Sequence, residues 1–285
     1  EHFDLLNSSY LVDLSMIIFS LYRLLPLLAS IYGSHLKLYT FNESFNQLEI
    51  LSIESKKNKL IYGNQKINNI ENIKLSNINY LDDSNNKILD KINFNFEIGK
   101  INLIYGESGS GKSTIFHLIT RYKEPFSGEI SINGKQIYEL DLPSYRNQIS
   151  LLGQDVVIFN ASLRENLTWF HNVKVTDKKI SSIFKKLNLT HLINNKNKSL
   201  DLMISDISET ISGGEKQRIA LARCLISDPN IILLDEITSS LDKENSRLIL
   251  NLIKTIARTK LVIAISHDPI WINSNSNKFY VSKNI

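Results

Sequence analysis

Apolar residues dominate the N-terminal part of the chain and recur there at helical spacing. The run LVDLSMIIFSLYRLLPLLASIYG, residues 11–33, is the most hydrophobic stretch, and apolar residues continue three or four positions apart over residues 35–54. Asp13, Arg23 and Pro26 interrupt any run of the length that a bilayer requires, so hydropathy alone does not identify a membrane span. Two interpretations stay open. The segment is either an amphipathic helix packed on the rest of the chain or the inner end of a membrane helix.

The pattern of apolar positions changes after this helical segment. Residues 55–69 are polar and lack a period, which predicts a linker. The stretches NIKLSNINYL, KILDKINFNFEI and KINLIYG then show strand-like patterns, and helical and strand-like patterns alternate from there to the end of the chain. This order predicts an α/β domain that begins at about residue 70.

Composition and charge narrow the function only slightly. Lys and Arg exceed Asp and Glu by four and are dispersed along the chain, which disfavours a nucleic-acid surface. The single cysteine, Cys224, excludes an intrachain disulfide and lies on the apolar side of a helical pattern, so we expect it to be buried. The first residue is Glu1 rather than methionine, and we expect further residues upstream of it.

A glycine-rich stretch carries the first candidate chemistry. The sequence GESGSGKST fits the spacing G-x-x-x-x-G-K-[ST], follows a short apolar strand pattern and precedes a helical one. Backbone N–H groups of such a loop surround phosphates, while Lys112 contacts the outer phosphates and the Ser113 hydroxyl binds Mg²⁺. A chance glycine turn is the alternative, which the strand–loop–helix context disfavours. The predicted phosphate loop consists of Gly106, Glu107, Ser108, Gly109, Ser110, Gly111, Lys112, Ser113 and Thr114.

Polar side chains follow three further strand-like runs. Asp235 and Glu236 close the run NIILLDE, His267 follows KLVIAIS, and Gln154 follows ISLLG. The carboxyl ends of parallel strands are where open α/β sheets bind ligands. We therefore expect Asp235 to bind Mg²⁺, Glu236 to act as general base, His267 to reach the terminal phosphate, and Gln154 to contact both metal and water. The alternatives are a solvated carboxylate pair and a structural histidine.

The stretch ISGGEKQRIALARCL raises a separate question. Ser212 and Glu215 form the S-x-x-E pattern of a capping box, and helical spacing follows. Gly213 and Gly214 directly after the cap are poor helix formers, each costing up to about 1 kcal/mol relative to alanine. They become reasonable if the phosphate of another molecule must approach the backbone closely. The stretch therefore predicts a second anion site, with Glu215 turned away from the anion.

Taken in order, these segments resemble the nucleotide-binding domain of ATP-binding cassette proteins from about residue 70 onward. The resemblance implies a P-loop NTPase fold of the cassette type over residues 70–285, with a helical subdomain at about 160–225. It assigns the Walker A loop to residues 106–114, the Q-loop to Gln154 and the signature to residues 211–215. The Walker B strand is assigned to Asp235 and the catalytic base to Glu236. The D-loop is assigned to Asp242 and the switch histidine to His267.

The same resemblance implies an ATPase that uses ATP and Mg²⁺. Its implied catalytic residues are Glu236, His267, Gln154 and Lys112, and its implied metal ligands are Ser113, Gln154 and Asp235. ATP bound to the phosphate loop would be covered by a second, head-to-tail subunit, expected to be an identical copy. The remaining implied nucleotide contacts are Ser212, Gly213, Gly214, Glu215 and Asp242.

The subtype can be narrowed from two stretches. QDVVIFNASLRENLTW resembles exporters that fuse their membrane and nucleotide domains, and LYRLLPLLASIYG is similar to the end of their last membrane helix. This favours a membrane-helix end over residues 1–54, most of the membrane domain upstream, and an ATPase on the cytoplasmic face. The Arg-Leu-Leu-Pro sequence is most similar to lipid-linked oligosaccharide flippases. A soluble non-transport cassette ATPase and a degenerate cassette with little turnover remain as alternatives.

Three features of the sequence depart from the family pattern. The aromatic residue that stacks on adenine should lie near Asp82, whereas Tyr80 is two positions early. ISDISET stands in place of the loop before the signature, and Asp206 is the candidate to replace its glutamate. The chain stops at FYVSKNI, short of the C-terminal helices that the family pattern leads us to expect.

Overall fold

The computed structural model describes residues 2–57, 63–82, 84–168, 175–193, 199–205, 211–238 and 241–283. The chain forms two compact units, Glu1–Ile61 and Tyr62–Ile285.

The first unit is one long helix, α1, His2–Lys57. It continues through Pro26, and within it Val12–Tyr39 is the one segment among the described residues that is long and apolar enough to cross a membrane, by length and composition. Hydropathy therefore does identify a candidate span, contrary to the sequence-based expectation, because an 18-residue window there holds at most two charged residues. The hydroxyls of Ser15 and Ser34 donate to helix carbonyls at 2.7 and 2.9 Å, which satisfies them within the helix.

The boundary between the units lies between residues 61 and 62, within the stretch 55–69 that is predicted as a linker. Helix α1 extends to Lys57, and residues from 63 onward belong to the second unit. The backbone N–H of Gln65 donates to the carbonyl of Glu139 at 3.1 Å, and Ile67 is buried. This isolated apolar residue anchors a stretch whose overall composition is polar.

The second unit alternates strands and helices. Its strands are β1 (Asn72–Leu81), β2 (Lys87–Glu97), β3 (Asn102–Gly106), β4 (Ser127–Ile132), β5 (Lys135–Gln136), β6 (Ile149–Leu152), β7 (Ala161–Ser162), β8 (Met203–Ile204), β9 (Ile231–Asp235), β10 (Leu261–Ile265) and β11 (Asn277–Val281). Its helices are α2 (Lys112–Ile119), α3 (Leu142–Arg146), α4 (Leu163–Thr168), α5 (Asp177–Lys186), α6 (Gly213–Ile226), α7 (Lys243–Ile256) and α8 (Pro269–Ile272).

A five-stranded parallel sheet forms the centre of this unit. Its strand order is β11-β3-β10-β9-β6, and every neighbouring pair is parallel. Strand β10 is buried at all five positions and β9 at its first four, as expected for strands covered on both faces. All five strands end at the same edge, so the segments that follow them meet there.

A four-stranded antiparallel sheet, in the order β2-β1-β4-β5, forms a second layer. Three phenylalanines connect it to the parallel sheet. The ring of Phe279 on β11 lies 5.0 Å from the ring of Phe94 and 4.8 Å from that of Phe96, both on β2. Edge-to-face contacts of this kind stabilise the packing of the two sheets.

Within residues 160–225, helices α4, α5 and α6 pack around a shared apolar core. The strands β7 and β8 pair there as well, through Ala161 with Ile204 and Ser162 with Met203. Cys224 is buried as predicted, and burial raises the pKa of its thiol to about 12.

Candidate functional site

Four neighbouring strands of the parallel sheet bring their following segments to one edge, where a cleft lies. The phosphate loop follows β3, Gln154 follows β6, Asp235 and Glu236 close β9, and His267 follows β10. The cleft has a volume of about 250 Å³. It is lined by Ser108, Gly109, Gly111, Lys112, Ser113, Gln154, Asp235, Glu236 and Ile265.

His267 lines the adjoining recess on the β11 side, together with Gly106, Glu107 and Ser108. The phosphate loop therefore borders both spaces, while Thr114 lies in the first turn of α2 outside them.

Two glycines of the phosphate loop are fixed by close approaches. At Gly106, with φ +152°, an added Cβ would lie 2.1 Å from the carbonyl oxygen of Val281. At Gly111, with φ +91°, it would lie 2.7 Å from Cδ2 of Leu89. Neither position can hold a side chain without displacement of its neighbours, so the path of the loop depends on both glycines.

The ammonium group of Lys112 lies inside the phosphate loop. Its Nζ donates to the carbonyl oxygens of Gly106 and Glu107 at 3.1 and 2.6 Å. Burial lowers the pKa of this lysine, and the carboxylates of Glu236 and Asp235 oppose that shift. An arriving phosphate oxygen would compete with two neutral carbonyls for a poorly solvated cation, which favours the phosphate.

Ser113 and Asp235 form the oxygen pair expected of a magnesium site. The Ser113 hydroxyl donates to Oδ2 of Asp235 at 2.8 Å. The pKa of Asp235 is raised, chiefly by burial and also by the charge of Glu236, while the hydrogen bond from Ser113 opposes the shift. Among the described residues no group of three or more His, Cys, Asp or Glu could hold a metal. Mg²⁺ suits this donor set, because it commonly takes one or two carboxylates and completes its shell with phosphate and water.

The hydroxyl of Ser110 gives an independent indication of a ligand. Its Oγ is buried in the phosphate loop and has no hydrogen-bond partner among the described residues. Buried hydroxyls normally have a partner. A phosphate oxygen at the loop is a partner of the right chemistry.

Glu236 and His267 lie close together at the mouth of the cleft. Nε2 of His267 is 3.2 Å from Oε1 of Glu236, and the side chains are 46% and 26% exposed. Glu236 adopts φ +49°, which is unusual for a residue with a side chain, and its backbone N–H donates to the carbonyl of Ile265 at 3.0 Å. Strained backbone of this kind concentrates at functional sites.

The predicted second anion site does not face this cleft. None of Ser212, Gly213, Gly214, Glu215 or Asp242 lines it. Ser212 and Gly213 are exposed, and an added Cβ at Gly213 would have nothing within 4 Å. Asp242 is exposed and caps α7 through a 2.7 Å hydrogen bond from the N–H of Asn245.

The predicted capping box at the start of α6 is confirmed. The Ser212 hydroxyl accepts from the N–H of Glu215 at 3.3 Å, and the Glu215 carboxylate accepts from the N–H of Ser212 at 2.8 Å. Burial raises the pKa of Glu215, but hydrogen bonds from Ser212 and His191 outweigh it and leave the pKa lowered. The sequence reasoning missed His191, because no local pattern connects it with a residue 24 positions later.

The departures from the family pattern have local explanations where they are described. Tyr80 is buried, and Lys123 Nζ lies 5.2 Å from the centroid of its ring. Asp82 accepts hydrogen bonds from Ser84 and Asn86 and so closes the turn between β1 and β2. The prediction for Asp206 lies outside the described residues, as do residues 239–240, which begin the SSLD stretch that ends at Asp242.

Fold and site together define a P-loop nucleotide-binding domain. Residues 89–239, more than half of the chain, match the family described as ABC transporter. The chain belongs to this family, and its second unit carries the family's ATP-binding domain.

Three relatives show where the similarity lies. The ATP-dependent lipid A-core flippase of Pectobacterium atrosepticum is 37% identical over 182 residues, which is 64% of this chain and 31% of the flippase. The heterocyst differentiation ATP-binding protein HepA of Nostoc sp. is 31% identical over 250 residues, 87% of this chain and 41% of HepA. The structure of a bacterial Atm1-family ABC exporter with ATP bound aligns with a TM-score of 0.70 and 27% identity, covering 79% of this chain and 39% of that one. The chain thus spans less than half the length of each.

Proposed function

We propose that this chain carries the ATP-hydrolysing motor of an ABC exporter, and that two copies complete each other's ATP sites head to tail. One observation carries the proposal. The groups suited to phosphate chemistry share one cleft, whereas the glycine-rich start of α6 is exposed and does not line it. A single copy therefore offers half of two sites rather than one whole site.

In this proposal the phosphate loop binds the triphosphate of ATP. Backbone N–H groups at the N-terminus of α2 and the Lys112 ammonium hold the phosphates, and the Ser110 hydroxyl donates to one of them. Ser113, Asp235 and Gln154 would hold Mg²⁺. The metal would neutralise charge on the phosphate oxygens that it contacts.

Hydrolysis is assigned to the carboxylate of Glu236. Glu236 accepts a proton from a water molecule while the water oxygen forms a bond to the γ-phosphorus, and the bond from that phosphorus to the β-phosphate oxygen breaks to release ADP. Lys112 stabilises the charge that develops on the phosphate oxygens. His267, 3.2 Å from Glu236, orients the carboxylate and reaches the γ-phosphate.

The covering half is assigned to a second copy of the chain. Ser212, Gly213 and Gly214 of that copy would donate to the γ-phosphate, and its Asp242 would lie at the same interface. The exposure of Ser212, Gly213 and Asp242 and the partial exposure of Gly214 support the assignment. The capping box keeps Glu215 occupied, which leaves the N–H groups of the glycines as the anion-binding part.

The link to transport rests on the N-terminal unit and the relatives. We assign residues 1–54 to the end of a membrane helix, residues 55–69 to the connection, and residues 70–285 to the ATPase on the cytoplasmic face. The candidate span Val12–Tyr39 and the named exporter and flippase relatives support this assignment. Closing of the ATPase pair would be transmitted by the segment after Gln154 to membrane helices and would move or flip a substrate across the membrane.

The test is ATP turnover by the intact chain purified in detergent. Glu236→Gln should lower kcat by about 10²- to 10⁴-fold, the usual contribution of a general base, while ATP binding persists. Glu129→Gln is the matched control, since Glu129 is exposed on the antiparallel sheet and contacts Gln136. Unchanged turnover in Glu236→Gln would refute the assignment of the base. ATP binding without turnover by the unaltered chain would indicate a cassette that holds ATP only.

A further inference from the structure

The carboxylate of Glu215 is fully engaged on both oxygens. Its Oε2 accepts from the backbone N–H and from the hydroxyl of Ser212, both at 2.8 Å. Its Oε1 lies 2.5 Å from Nε2 of His191, which comes from the 3₁₀ turn Thr190–Leu192. The capping box is therefore tied to a residue from a different part of the helical subdomain.

The contact between His191 and Glu215 matters because the Glu215 carboxylate repels an approaching anion. A carboxylate in the first turn stabilises a helix by interacting with its dipole, but it repels a phosphate arriving at the same helix end. The Ser212 hydroxyl has one proton, which it donates to Glu215. That proton reaches a phosphate only if the carboxylate releases it.

His191 is exposed, but buried residues on the same turn hold it in position. Leu189 and Leu192, on either side, are 0% and 2% exposed, and the N–H of Leu189 donates to the carbonyl of Phe184 at 2.9 Å. The histidine side chain is 47% exposed and that of Glu215 is 17% exposed. A turn anchored in the core thus presents the imidazole to a mostly covered carboxylate.

We propose that His191 is a positioning residue for the signature stretch: it holds Glu215 on the capping side of α6 and offsets its negative charge where the partner copy's ATP arrives. The inference rests on the proposed function, because it needs Ser212 to Gly214 to face that ATP. Among the described residues, His191 is the group that contacts Oε1 of Glu215. Loss of the imidazole removes the partner of Oε1, so that only the Ser212 bonds to Oε2 hold the carboxylate beside Gly213 and Gly214.

The test compares His191 variants in two backgrounds by steady-state hydrolysis in the intact chain. His191→Leu should raise KM for ATP roughly three- to tenfold, in the range of coupling between contacting groups, and leave ATP binding to dilute monomers unchanged. His191→Lys, which places a cation beside the carboxylate, should stay closer to the unaltered chain than the neutral His191→Gln. In the Glu215→Gln background the penalty of His191→Leu should disappear, because no charge remains to be offset.

The Lys260–Asp228 ion pair provides the matched control. In this 3.1 Å contact Lys260 is mostly covered and Asp228 is exposed, as Glu215 is mostly covered and His191 exposed. Lys260→Gln should leave KM unchanged. Equal effects of His191→Leu with Glu215 and with Gln at that position would overturn the inference and leave the proposed function standing. Absence of hydrolysis in the unaltered chain would overturn the proposed function itself. If His191→Leu fails to fold, His191→Gln and His191→Lys still decide the order of KM values.

Discussion

Gly111 allows a quantitative prediction about the phosphate loop. It precedes α2 with φ +91°, and an added Cβ would lie 2.7 Å from Cδ2 of Leu89 and 2.8 Å from Cγ2 of Ile88. Leu89 is completely buried and cannot move aside without disturbing the sheet. Gly111→Ala therefore combines backbone strain with overpacking.

The two contributions can be separated with a second glycine. An L-residue in the left-handed region costs roughly 1–2 kcal/mol, and forcing extra volume into a packed site costs roughly 1–3 kcal/mol. Gly111→Ala should therefore lower the free energy of unfolding by about 2–5 kcal/mol. Gly99 has φ +104° with nothing within 4 Å of an added Cβ, so Gly99→Ala should lose only the backbone part, about 1–2 kcal/mol.

Urea denaturation of the intact chain measures the difference. Tryptophan fluorescence can report it, because Trp271 is buried within the second unit. Equal losses for Gly111→Ala and Gly99→Ala would refute the claim that Ile88 and Leu89 enclose the loop. A loss at Gly111 well below 1 kcal/mol would refute the strain as well.

Two further predictions concern buried groups outside the cleft. Tyr145 is buried, its hydroxyl donates to the carbonyl of Ile119 at 2.9 Å, and burial raises its pKa. The hydroxyl contributes its full stabilisation below the unfolded pKa of about 10, and this stabilisation is lost as the pH rises toward the folded pKa. At pH 7 the chain should be more stable than Tyr145→Phe by about 1 kcal/mol. This difference in the free energy of unfolding should shrink between about pH 9 and 11 in urea titrations. A pH-independent advantage would contradict this. Cys224, buried with a raised pKa, should react with a thiol reagent only after unfolding, and rapid labelling of the native chain would contradict its packing.

The sequence predicted those parts of the fold that depend on contiguous stretches of residues. The run NIKLSNINYL corresponds to β1 residue for residue, and KILDKINFNFEI extends only one residue beyond β2. The phosphate loop could be predicted because its spacing, its strand and its helix are contiguous. Asp235, Glu236, Gln154 and His267 could be placed together because each follows a strand pattern and parallel strands end at one edge.

The remaining features depend on contacts between distant segments. The pairing of β7 with β8 involves two residues on each strand, too few for a pattern to emerge. His191 meets Glu215 only because its turn is anchored by buried leucines. Pro26 was expected to interrupt a membrane span, yet α1 continues through it, since a single proline removes one backbone donor and leaves the rest of a long helix intact.

Sharing of each ATP site by two copies is tested most directly by Ser212→Arg in the intact chain. Hydrolysis and the ATP affinity of dilute monomers are measured in parallel, with Thr176→Arg as the control that removes an equivalent cap, at the start of α5. Ser212→Arg should abolish hydrolysis while monomer affinity stays unchanged, and Thr176→Arg should retain hydrolysis. Retained hydrolysis in Ser212→Arg, or an equal fall in monomer affinity, would contradict the sharing of ATP sites.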